Sequence, residues 1–237
     1  LQRLVLIPTP IGMSEIRRWS FTARYLDPGS RMGEILFGLI MTLTFTLAAG
    51  IVIQEEGSAG AREMLIGILG CNLAWGIIDG VLYVLGQAFE RGRIRRIGFH
   101  VRSASSDEDA RRMVAEELDG TLEPMADEAA LSGLYEAVVQ RVRSSVPTPN
   151  AIRKEDVLGG LAAGWVVFAC SFPALLPFLF LDDLRLALRV SNAILIGLLF
   201  IVGWRAALHT LARPWLAGLT FMLVGMLLVA IAIPLGG

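Results

Sequence analysis

Five long stretches of apolar residues alternate with polar segments along the chain. They cover residues 33–53, 64–86, 158–181, 188–208 and 215–235. A helix needs about twenty mostly apolar residues to cross roughly 30 Å of hydrocarbon, because each residue adds about 1.5 Å of rise. Each stretch meets that length. The pattern therefore predicts an all-α integral membrane protein with five transmembrane helices.

The polar segments between these stretches predict the domain organisation. Residues 1–32 form an N-terminal segment, and residues 33–86 hold the first two transmembrane helices. Residues 87–157 form an inserted helical domain, and residues 158–237 hold the last three helices. The insertion therefore separates a pair of transmembrane helices from a group of three.

The insertion itself has an arginine-rich part followed by an acidic part. Ser105 or Ser106 is placed to cap a helix through the acidic part, and Gly120 is placed to end it. Apolar residues recur at helical spacing from about Ala129 to Val142. That spacing predicts a second, amphipathic helix.

The arginines predict the orientation, because positive residues collect on the cytoplasmic flanks of transmembrane helices. Most flanking arginines lie in three regions, which are the N-terminal segment, the start of the insertion and the turn between the fourth and fifth helices: Arg17, Arg18, Arg24, Arg31, Arg91, Arg93, Arg95, Arg96, Arg205 and Arg213. The N-terminus and the insertion are thus predicted to be cytoplasmic and the C-terminus external. Lys154 is the only lysine, a bias typical of GC-rich bacteria, and we expect the bacterial inner membrane.

Composition agrees with a membrane protein, since 54% of residues are hydrophobic and 18% are charged. Soluble domains average about half apolar and a quarter charged. Cys71 and Cys170 lie in apolar stretches and form no CxxC motif, so neither a disulfide framework nor a zinc site is indicated. The chain has no nucleophile elbow, phosphate-binding loop or dinucleotide fingerprint. We therefore expect no enzymatic activity, no resident cofactor and no nucleic-acid partner.

Asp79 is the strongest candidate for function, because it lies deep in the second apolar stretch, where a charge costs several kcal/mol. Asn72 lies two helical turns earlier and shares its face. The pair can line a polar path that binds a cation or a proton; alternatively, a protonated Asp79 hydrogen-bonds within the protein. Glu34 lies at the start of the first helix, where it is either an entrance ligand or an ordinary solvated charge at the membrane interface. Met41 is either a soft thioether ligand for a transition metal or a packing residue of the helix.

The acidic part of the insertion holds a second set of candidates. Asp109, Met113 and Glu116 share one face of the predicted helix, and Glu117 and Glu123 follow closely. Carboxylates with an occasional methionine suit iron(II) or manganese(II). The alternative is that these carboxylates form an ordinary solvated helix face.

The layout resembles the vacuolar iron transporter family. GEILFGLIM in the first helix, LYVLGQAFERG after the second and SFPALLPF in the third are similar to the family's sequences. The resemblance implies a homodimer that exchanges iron(II) or manganese(II) for protons, as substrates and not as resident cofactors, using an acidic residue and a methionine in the membrane and carboxylates in the insertion.

The chain departs from the family's pattern in the first helix, in the second helix, which reads CNLAWGIIDGVLY, and directly after it, where arginines replace the family's closely spaced glutamates. These departures open an alternative. Where the family carries Asn-Asp-Gly in the first helix, this chain reads Leu39-Ile40-Met41-Thr42. The leading expectation is a proton-coupled exporter of divalent metal ions. The alternative is a non-transporting accessory subunit that keeps the fold and packs small-residue faces, such as Gly76 with Gly80, against a partner in a membrane complex.

Overall fold

The computed structural model describes residues 21–48, 58–122, 127–145 and 151–232, which form helices and no strand. The helices of this part of the chain are α1 Phe21–Tyr25, α2 Pro28–Ala48, α3 Ser58–Ser103, α4 Asp107–Leu122, α5 Glu128–Ser144, α6 Lys154–Ala169, α7 Phe172–Phe180, α8 Leu184–Ala207 and α9 Pro214–Ala232. The chain divides into two compact units, a first unit up to Tyr83 and from Lys154, and a second unit from Val84 to Arg153.

Five helical segments are long and apolar enough to cross a membrane, which confirms the predicted number of apolar helices. They are α2, α3, the pair α6 and α7, α8 and α9. Their outward faces carry large apolar side chains: Leu82 is 57% exposed, Leu161 60% and Leu223 52%. Such a surface is unfavourable in water and favourable in hydrocarbon.

The second predicted apolar helix extends further than its apolar stretch suggests. α3 runs for 46 residues from Ser58 to Ser103, so the arginine-rich start of the insertion continues the same helix. At about 1.5 Å per residue, α3 is about 69 Å long. The helix therefore does not end where the polar sequence begins after Gly86.

The third apolar segment is interrupted close to Pro173. α6 ends at Ala169, and α7 begins at Phe172 with Pro173 in its first turn. Proline has no N–H to donate to the carbonyl four residues earlier, so the α-helical bonding is lost there. The Ser171 N–H instead bonds to the Phe168 carbonyl at 3.1 Å. The Val167 carbonyl accepts from the Cys170 N–H at 3.2 Å instead of from Ser171, so hydrogen bonds three residues apart replace those four residues apart at the end of α6.

Glycines allow α3 and α6 to pack with their backbones in close contact. A Cβ on Gly76 would lie 2.6 Å from the Gly164 carbonyl oxygen, and one on Gly80 would lie 2.7 Å from that of Gly160. No larger residue fits at either position without moving a helix. The accessory-subunit alternative assigned these faces to a partner protein, but in this structure they pack against each other.

The second unit is a small helical domain with its own core. The end of α3 contributes Val101, α4 contributes Val114, and α5 contributes Tyr135 and Val139. Ser106 caps α4 as predicted, since its hydroxyl accepts a hydrogen bond from the Asp109 N–H at 3.1 Å. Gly120 does not end α4, because the helix continues to Leu122. α5 spans Glu128–Ser144, slightly longer at both ends than predicted.

α2 begins earlier than its apolar stretch, because Asp27 caps it. The Asp27 carboxylate accepts hydrogen bonds from the N–H groups of Gly29 at 2.9 Å and Ser30 at 3.0 Å, and from the Ser30 hydroxyl. These bonds, above all the one from the Ser30 hydroxyl, hold the pKa of Asp27 below its usual value of 3.8. An aspartate followed by proline is a typical helix start.

Replacing Asp27 by alanine is expected to lower the free energy of unfolding by about 1 kcal/mol at neutral pH. Because the folded-state pKa is lowered, this contribution is complete above the unfolded pKa and disappears as the pH falls through the folded one. The melting temperatures of wild type and variant should therefore converge in acid. The control is Asp182→Ala, at an exposed aspartate beside the α8 cap. A difference between wild type and Asp27→Ala that does not change with pH would contradict the capping role.

Candidate functional site

The candidate site lies where α2 and α3 pack against each other. The contacts between them pair Phe37 with Trp75 and Met41 with Cys71. Residue numbers rise along α2 while they fall along α3, so the two helices are antiparallel. This register places Glu34 close enough to Asp79 for their charges to repel. We call Glu34 and Asp79 the carboxylate pair.

Asp79 is only partly covered, but one of its oxygens is fully enclosed. The Oδ2 atom is buried and has no hydrogen-bond partner among the described residues. A buried carboxylate oxygen without a partner is strongly unfavourable when ionised. Protonation of Asp79 or a bound cation would satisfy this oxygen.

Asn72 forms a second polar layer farther along the same helices. Its side chain is fully buried, and Nδ2 donates to Thr42 Oγ1 at 2.9 Å and to the Val167 carbonyl at 3.3 Å. The Thr42 hydroxyl donates in turn to the Gly38 carbonyl at 2.8 Å. Asn72 Oδ1 is buried and has no partner among the described residues. We call Asn72, Thr42 and the Val167 carbonyl the amide layer.

Met41 belongs to the level of the amide layer and not to that of the carboxylate pair. Its sulfur lies 3.6 Å from Cys71 Sγ, and Cys71 is the neighbour of Asn72 in sequence. Seven residues separate Glu34 from Met41, and seven separate Asn72 from Asp79. The two levels are therefore about 10 Å apart along the helices. The four intramembrane candidates form two polar levels instead of one cluster.

The candidates in the insertion are dispersed around α4. Asp109 accepts from Arg112 at 2.9 Å and from the Ser106 hydroxyl at 2.8 Å. Glu117 forms an ion pair with Arg93.

The remaining insertion candidates show no common ligand position. Met113 packs against the core of the second unit, and Glu116 is exposed. Glu123 lies outside the described residues. Across residues 21–48, 58–122, 127–145 and 151–232, no three His, Cys, Asp or Glu side chains are grouped to hold a metal ion. A metal-gathering role for α4 stays a prediction that this arrangement does not favour.

The structure adds three groups near the carboxylate pair that sequence reasoning missed. Tyr83 lies one helical turn beyond Asp79 on α3, and it interacts electrostatically with Asp156 and Asp27. Asp156 is only 6% exposed and lies in the first turn of α6. The available signal for Asp156 was an acidic residue directly before an apolar run, which is typical of a helix N-terminus.

The chain was compared with known proteins. No protein-family model matches it, and no curated protein matches it. The resemblance to the vacuolar iron transporter family therefore depends on helix layout and short local stretches.

Proposed function

We propose that this chain is a multi-pass membrane transporter that exports a divalent metal ion, iron(II) or manganese(II), in exchange for protons. The ion passes along the interface of α2 and α3, where it meets the carboxylate pair and the amide layer. The N-terminal segment and the second unit lie in the cytoplasm of a bacterium, and the C-terminus is external. The homodimer implied by the family resemblance is part of the same proposal.

The lipid environment is supported by the exposed surface of the helices. Five helical segments have the length and composition to cross a membrane. Trp204 and Trp215 are 41% and 62% exposed near the turn between α8 and α9, where Arg205 and Arg213 also lie. Exposed tryptophan beside arginine is typical of the cytoplasmic membrane–water interface. This grouping agrees with the orientation that the other arginines predict.

The observation that carries the proposal is the unpartnered Asp79 Oδ2 beside a second carboxylate. In a medium of low polarity, two neighbouring carboxylates cannot both stay ionised without a counter-charge. Protons or a cation must supply it. Protons and the cation compete for the same carboxylate oxygens. Binding of the cation therefore releases protons, which is the elementary step of exchange.

The chemistry of the donors favours a divalent metal ion as substrate. Carboxylate and amide oxygens suit manganese(II) and similar ions. One divalent cation neutralises both members of the carboxylate pair, and two protons do the same. Exchange of one for the other keeps the net charge of the site constant, so neither loaded state leaves an isolated charge in the membrane.

The direct test is metal flux through the purified chain in lipid vesicles. Vesicles are loaded with a metal-sensitive dye and a pH-sensitive dye, and iron(II) or manganese(II) is added outside. Metal is expected to enter while protons leave, and a proton gradient with excess protons inside should accelerate entry. Protein-free vesicles are the control. Entry no faster than in those vesicles, or entry without proton movement, would contradict the proposal.

A further inference from the structure

Tyr83 fixes the chain segment that precedes α2. Its hydroxyl donates to the Tyr25 carbonyl at 3.1 Å. Its ring packs directly on Gly159, at a position where any Cβ would overlap the ring. Gly159 is thus the residue of α6 that makes room for this ring. Tyr83 lies four residues after Asp79, so this contact is one helical turn from the carboxylate pair.

Two further contacts hold the same segment. Leu26 is 4% exposed and packs in an apolar cluster with Ala162, Ala163 and Val166 of α6. Asp27 fixes the end of the segment by capping α2. Residues 25–27 are therefore held by a hydrogen bond to α3, by apolar contact with α6 and by the start of α2. We call residues 25–27 the latch.

The latch contacts α3 and α6 and leads into α2, at the end where the carboxylate pair lies. The Tyr83–Tyr25 hydrogen bond is a polar contact that links the latch to α3. A single hydrogen bond is weak enough to open and close under thermal motion. Asp27 and Asp156 lie within electrostatic reach of Tyr83, so two acidic residues lie near the latch.

We propose that the latch closes the entrance to the carboxylate pair, and that breaking the Tyr83–Tyr25 hydrogen bond opens it. The latch regulates access to the site on which the proposed function rests. In the closed state Leu26 stays in its apolar cluster, and Asp79 is partly covered with its Oδ2 atom enclosed. In the open state the latch leaves α6, and cations reach Asp79 past Asp27 and Asp156.

The test measures how fast Asp79 reacts with a water-soluble carbodiimide in the full-length protein, read by mass spectrometry. Tyr83→Phe keeps the ring on Gly159 and removes the hydroxyl. Labelling of Asp79 is expected to rise about fivefold, the shift in an opening equilibrium that one ordinary hydrogen bond supplies. Backbone hydrogen exchange at Leu26 should rise with it. Leu26→Ala is the second variant and should act in the same direction.

The matched control is Tyr25→Phe, which removes a hydroxyl from the latch but leaves intact the Tyr25 carbonyl that accepts the bond. Labelling of Asp79 should not change in this variant. Equal increases in Tyr25→Phe and Tyr83→Phe would show general loosening and overturn the latch. Unchanged labelling in both Tyr83→Phe and Leu26→Ala would also overturn it. The assay needs no metal flux, so failure of the transport proposal would be seen separately, in the vesicle experiment.

Discussion

An Asp79→Asn variant is expected to abolish metal entry into vesicles while leaving the fold intact. Asparagine has nearly the shape of aspartate, but it carries no negative charge and takes up no proton. It therefore cannot offset the charge of a divalent ion or exchange that ion for protons. Entry should fall to the level of protein-free vesicles. Its melting temperature should equal or exceed that of wild type, because asparagine cannot ionise. The variant therefore never places a negative charge on a buried oxygen that has no partner.

Glu63→Gln is the matched control for Asp79→Asn. Glu63 is an exposed carboxylate in the first turns of the same helix, far along α3 from the carboxylate pair. The change removes one negative charge in the same way, and metal entry should stay at the wild-type rate. Normal entry by Asp79→Asn would remove the carboxylate pair from the transport mechanism. Equal loss in both variants would point to a general charge effect instead of a site.

Replacing Gly76 by alanine is expected to be the most destabilising single-methyl change in α3. The added Cβ would lie 2.6 Å from the Gly164 carbonyl oxygen, and a helix backbone has no rotamer by which to move away. Overpacking of this kind costs about 1–3 kcal/mol, occasionally more. Separation of α3 from α6 would also disturb the amide layer, because Asn72 bonds to the Val167 carbonyl of α6.

Gly70→Ala provides the comparison within the same helix. A Cβ on Gly70 meets no atom within 4 Å, so only the helix preference of alanine acts there. That preference favours alanine by roughly 0.5–1 kcal/mol. Thermal unfolding in detergent, followed by tryptophan fluorescence, should show Gly76→Ala melting well below wild type and Gly70→Ala at or above it. Similar melting of the two variants would refute the close α3–α6 contact.

Positions that follow from periodicity along one helix could be predicted from the sequence. The seven-residue spacing of Asn72 and Asp79 put both on one face, and both have a buried oxygen without a partner among the described residues. The apolar length of each stretch likewise sufficed to predict five long helices.

Contacts between helices could not be predicted in the same way. The approach of Glu34 to Asp79 depends on the antiparallel register of α2 and α3, which no residue spacing within either helix specifies. Asp156 was placed in the insertion because the apolar stretch begins after it, whereas α6 begins before it, at Lys154. The start of α2 was missed for a related reason, since Asp27 and Pro28 set the helix start by capping and not by hydrophobicity.

The interruption between α6 and α7 gives the amide layer a ligand that no side chain encodes. At Val167 the group facing Asn72 is a peptide oxygen, which accepts from Asn72 at 3.3 Å and from the Cys170 N–H at 3.2 Å, because the Ser171 N–H bonds to Phe168 at the end of α6. Exchange of valine for isoleucine or alanine would leave that oxygen in place. The chemistry of this contact therefore depends on where α6 ends and not on the side chain at position 167.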